Sequence, residues 1–64
     1  MITVAEAAAL IGQPVAIEWD EPWPRGRMRV TGVLTRFIYA RALYACLPGH
    51  AVAVTCPGFE LRPA

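Results

Sequence analysis

The stretch from Gly26 to Cys46, GRMRVTGVLTRFIYARALYAC, constrains the fold more than any other part of the chain. Met28, Val30, Gly32 and Leu34 alternate with Arg27, Arg29, Thr31 and Val33. Period-two alternation of that length is the pattern of a half-buried β-strand with one core face and one solvent face. Ile, Phe and Tyr continue it, so the segment has room for two strands in succession, with the break expected near residues 39–41. Gly32 is the expected bend, because a glycine inside a strand often marks a bulge or a barrel corner.

The flanking sequence supplies partners for this ribbon. Val15, Ile17 and Trp19 alternate with Ala16, Glu18 and Asp20, and Pro22 and Pro24 then force a loop. Leu47-Pro48-Gly49-His50 and Cys56-Pro57-Gly58 are turn signals. Strands are therefore predicted over 14–20, 27–38, 41–47, 51–55 and 59–62. At the N-terminus, Thr3 and Glu6 have capping-box spacing ahead of helix-favouring residues, and Gly12 suits the stop. The predicted helix is 4–11, with Val4, Ala7, Ala8 and Ile11 on its apolar stripe. The 64 residues make a single domain, mainly β in an α+β arrangement: a short helix followed by about five antiparallel strands.

Two resemblances follow from these residues. Thr3, Glu6, Ala7, Ala8, Leu10 and Gly12 resemble the T-x-x-E-A-A-x-L-x-G opening of excisionase and MerR-type DNA-binding domains. The likeness stops there, since Pro14, Pro22 and Pro24 stand where a recognition helix would run. Gly26, Gly32, Leu34 and Phe37 resemble the first Sm motif, with the two glycines one residue further apart than usual. That resemblance implies a small SH3-like barrel. The aspartate and asparagine that shape the uridine pocket of Sm proteins align with Ile38 and Ala42, and the second Sm motif is missing, so its RNA site does not carry over.

Composition narrows the function classes. Hydrophobic residues make up 56% of the chain, and eleven of them are alanine. The rest suffice for one small core, and the surplus, with short strands leaving open edges, predicts a homodimer or small oligomer. Net charge is +1, which sets up no global field for nucleic acid or membrane. No segment reads as a signal peptide or membrane span, so a cytoplasmic protein with reduced Cys46 and Cys56 is expected.

Catalysis needs a base oriented by a neighbour. The single histidine, His50, lies in a turn, and Glu18 and Asp20 fall on the outer face of the first strand; the chain is read as a non-enzyme without cofactor. Cys46, His50 and Cys56 lack the fourth ligand and paired spacing of structural zinc, so no metal site is assigned and the thiols are read as free and largely buried.

The arginines are the biased feature: five of six lie between Arg25 and Arg41, a span without carboxylates. One reading pairs Arg27 and Arg29 with Glu18 and Asp20 across the first hairpin. Trp23, between two prolines in a loop, then becomes the anchor for a protein partner, with Arg25, Arg36, Tyr39 and Arg41 beside it, because tryptophan, tyrosine and arginine dominate binding hot spots. This predicts a small adaptor or inhibitor of another protein, of the kind phage and mobile-element genomes encode. The alternative is a nucleic-acid-binding barrel using Arg27, Arg29, Arg36 and Arg41 on phosphates, with an aromatic stacked on bases. Which arginines stand free decides between them.

Overall fold

The computed structural model describes residues 3–64; strands account for 53% of it, in two small antiparallel sheets beside one short helix. The helix α1 is Val4–Ala8, and the capping box forms. Thr3 Oγ1 accepts from the Glu6 amide at 3.1 Å, and Glu6 Oε1 accepts from the Thr3 amide at 3.4 Å. The helix is shorter than the predicted 4–11. Beyond Ala9 the amides of Leu10 and Ile11 reach back three residues, to Ala7 and Ala8, which tightens the chain into a turn. Gly12, at φ +88°, then donates its amide to Leu34 O at 2.7 Å. The predicted stripe is not buried as a unit: Ala7 is, while Val4 and Ile11 are 58% and 44% exposed.

Six strands form, against the five predicted: β1 Pro14–Glu21, β2 Gly26–Val33, β3 Arg36–Tyr39, β4 Leu43–Leu47, β5 His50–Ala53 and β6 Glu60–Pro63. The first sheet has the order β2-β1-β6 and the second β3-β4-β5. No ladder among the described residues joins the two, so the arrangement is not a closed barrel. The ribbon expected as one strand over 27–38 is interrupted at Leu34–Thr35, and there the chain passes from one sheet to the other. Leu34 is fully buried and its amide donates to Gln13 O at 3.1 Å. Thr35 turns both its amide (2.9 Å) and its hydroxyl (3.0 Å) onto Cys46 O. Gly32 is not the bend: it stays in β2 opposite Val15.

The inner faces follow the predicted alternation. Val15, Ile17 and Trp19 of β1 meet Gly32, Val30 and Met28 of β2, and Ile17 also meets Leu61 of β6. In the second sheet Phe37, Ala45 and Val52 lie side by side. Together with Ala7, Leu34 and Leu47 these residues close one core. The turns at Pro48–Gly49 and Cys56–Gly58 form as expected, with Gly49 and Gly58 at φ +77° and +70°. No helix among the described residues is long and apolar enough to cross a membrane.

Candidate binding surface

The outer face of the first sheet carries a charge network that sorts the arginines. Register sets Arg29 opposite Glu18 and Arg27 opposite Asp20, as the hairpin reading requires. It also sets Glu18 opposite Glu60, two like charges side by side that cannot stand without counterions. Arg27 supplies one. It reaches Asp20 Oδ1 at 3.0 Å, Glu60 Oε2 at 3.5 Å and Glu18 Oε1 at 3.7 Å, and donates to Gly58 O at 3.0 Å. Arg62 supplies the other, holding Glu18 Oε2 and lying 3.4 Å from Glu60 Oε2. Each oxygen of Glu18 thus faces a guanidinium, and Arg29 has no ion pair among the described residues.

Glu21, the remaining carboxylate of the hairpin, accepts the indole N–H of Trp19 at 2.8 Å. Arg25, Arg36 and Arg41 likewise form no salt bridge among the described residues. The hairpin therefore neutralises Arg27 and leaves four exposed arginines outside the network.

Three of these four and the exposed aromatics fall at two stations. At the first, the turn between β1 and β2 holds Trp23, 92% exposed, and Arg25, whose amide bonds to Pro22 O at 3.2 Å. The flanking prolines fix φ on either side, so the indole is presented from a stiff tip. At the second, Arg36 opens β3, Tyr39 ends it at 80% exposure, and Arg41 follows in the turn at φ +67°. Arg29 lies between, on the outer face of β2. The eight residues of β2 separate the stations by roughly 23 Å of extended chain, so Trp23 and Tyr39 are not neighbours along the ribbon.

A third feature has no signature in the sequence. An apolar cleft of about 310 Å³ opens between α1, the second sheet and the segment before β6, lined chiefly by Val4, Ala7, Phe37, Leu43, Val54 and Phe59. Cys56 is half-buried on its wall, while Cys46 is buried in β4; both thiols are free. His50 opens β5 at the surface. Among the described residues no group of three or more His, Cys, Asp or Glu side chains is arranged to hold a metal. No family model, no curated protein and no solved structure matches this chain.

Proposed function

We propose that the chain is a small non-catalytic binding module that acts as an adaptor or inhibitor of another protein, contacting an acidic and partly apolar surface on its target. The observation that carries this reading is Trp23, 92% exposed at a proline-stiffened tip next to Arg25, which has no ion pair among the described residues. An exposed indole is costly to leave in water and loses little side-chain entropy on docking, which is why tryptophan and arginine recur as binding anchors. Arg36, Tyr39 and Arg41 serve as a second contact area on a long target surface. The corner at Leu34–Thr35, where an edge strand of one sheet continues into the other, supports a distant SH3-like or Sm-like relationship with the ring left open. Free Cys46 and Cys56 support action in a reducing, cytoplasmic setting.

A second reading is nucleic-acid binding, and Arg29, Arg36 and Arg41, outside the charge network and near exposed Tyr39, favour it. Capture of a target from nuclease-treated lysate of the source cells separates the two. The protein reading expects one stoichiometric protein that Trp23→Ala binds about 30-fold more weakly, the equivalent of a 2 kcal/mol hot spot. Capture that disappears with nuclease, or that Trp23→Ala leaves intact, overturns it.

A further inference from the structure

We infer that the free edge of β2 is a docking site for an extended acidic segment of the target, which adds to the first sheet as an antiparallel strand. This rests on the reading of the chain as a protein-binding module, and it names what the target offers between the Trp23 and Tyr39 stations. β2 pairs only with β1, so it is an edge strand over its eight residues, Gly26–Val33. Its neighbours decide which backbone groups stay open. The Leu34 amide donates to Gln13 O and the Leu34 carbonyl accepts from the Gly12 amide, so both point to the β1 side. Groups of successive strand residues point to opposite sides, so Gly32, Val30 and Met28 also face β1, while Val33, Thr31, Arg29 and Arg27 face outward. Pro14 agrees: opposite Val33 it has no N–H to give, and its carbonyl accepts from Ala64 on the far side. Among the described residues no donor or acceptor meets the outward groups.

The edge lacks two devices that keep strands from pairing. No proline interrupts it, and its register with β1 runs from Pro14↔Val33 to Glu21↔Gly26 without a bulge. What it carries instead is positive charge: Arg27, Arg29 and no carboxylate. Arg27 is drawn back over β1 to Asp20 and Gly58 O, which leaves Arg29 as the unpaired cation of this edge among the described residues. A carboxylate directly opposite Arg29 on an added strand makes the cross-strand ion pair that Glu18, held by Arg27 and Arg62, does not. On the other face Met28 and Val30 are half-buried against the core, and apolar residues at alternate positions of the guest cover them. The recognised segment therefore alternates acidic and apolar residues.

The same charges argue against a second copy as the occupant. Pairing β2 with β2 across a two-fold axis sets the arginines of both copies on one face, with no acid in either strand. The opposite edge of the sheet, β6, has four residues and ends in Pro63, too short a ladder to match β2. Position along the chain favours the target. The turn that holds Trp23 and Arg25 leads into β2, and Arg36 opens the strand that follows it. An extended segment laid on the edge runs roughly 23 Å, so the open backbone links the two stations into one contact.

The test is amide hydrogen exchange by NMR, on the free protein and with the peptide acetyl-Val-Glu-Val-Glu-Val-Glu-Val-amide. In the free protein the amides of Arg27, Arg29 and Thr31 should exchange fast, while those of Met28, Val30 and Gly32 are protected. The peptide at millimolar concentration should slow the first set about tenfold or more and leave the second unchanged. Methylating its glutamate nitrogens, which face β2, should abolish the effect; methylating its valine nitrogens should not. Arg29→Glu, at an exposed position, should weaken this peptide roughly tenfold and favour the lysine counterpart. Thr31→Pro removes an outward N–H, keeps the bonds to β1 and should block the added strand with an unchanged circular dichroism spectrum. A glutamate peptide that leaves the outward amides unprotected, or binds no better than its lysine counterpart, overturns the inference. Protection already present in the free protein and growing with its concentration gives the edge to a second copy and overturns it as well. Capture of the target separates this inference from the proposed function: a target held equally by the wild type and Thr31→Pro but lost by Trp23→Ala overturns the added strand and keeps the anchor.

Discussion

Gly32 and Gly58 make opposite predictions when each is replaced by alanine, and the pair tests where the chain actually turns. Gly32 lies inside β2 without a positive φ, and an added Cβ would meet only Leu47 atoms at 3.8–3.9 Å, ordinary contact distance. Alanine there restricts the unfolded chain without straining the native one, worth about 0.4–1 kcal/mol of added stability. In a domain of this size that raises the thermal midpoint by about 2–8 °C. Gly58 is the reverse case. Its φ of +70° costs an L-residue about 1–2 kcal/mol, and the added Cβ would collide with the Asp20 carboxylate and lie 2.7 Å from Arg27 Nη1. Those side chains are exposed and can move, so loss of their contacts adds at most about 1 kcal/mol. Thermal and urea unfolding followed by far-ultraviolet circular dichroism read both variants. A Gly32→Ala protein destabilised by more than about 1 kcal/mol, beside a neutral Gly58→Ala, would place the bend at Gly32 and refute the account of the corner.

Two other changes probe the scaffold. Thr3→Ala removes the hydroxyl that caps the Glu6 amide and should cost about 1 kcal/mol in urea denaturation; an unchanged midpoint would mean that the capping box contributes nothing. Leu34→Ala empties the fully buried corner position at a cost of about 2.7–5 kcal/mol, comparable to all the stability a core this small supplies, so the variant should be unfolded at room temperature by one-dimensional NMR.

The parts of this fold that depend on neighbours along the chain are legible in the amino-acid sequence. Thr3 and Glu6 announce their cap because both partners lie within one turn, and Val15, Ile17 and Trp19 announce their face because alternation is local. The corner is not legible. Leu34 continues the inward alternation of Met28, Val30 and Gly32, so periodicity runs straight through it. What ends β2 is Thr35 bonding to Cys46 O, eleven residues away. The same limit applies to the arginines. Local spacing puts Arg27 and Arg29 on equal terms opposite acids, but β6 brings Glu60 and Arg62 alongside Glu18, and that long-range pairing binds Arg27 into the network and leaves Arg29 outside it. Trp23 is legible as exposed because two prolines bracket it. The cleft is not, since Phe37, Leu43, Val54 and Phe59 read in sequence as ordinary core residues.

The measurement that bears most directly on the central claim, that the partner is a protein engaged through Trp23, is the salt dependence of oligonucleotide binding, read by fluorescence anisotropy on single-stranded and duplex probes. Four arginines acting together on phosphates would give a log–log slope of roughly −3 to −4 on duplex DNA. The account predicts only weak binding with a shallow slope, because Arg25 and the pair Arg36 and Arg41 sit at separate stations with Arg29 between them. Tight binding with the steep slope, undiminished in Trp23→Ala, would contradict it and establish the arginines as a nucleic-acid site.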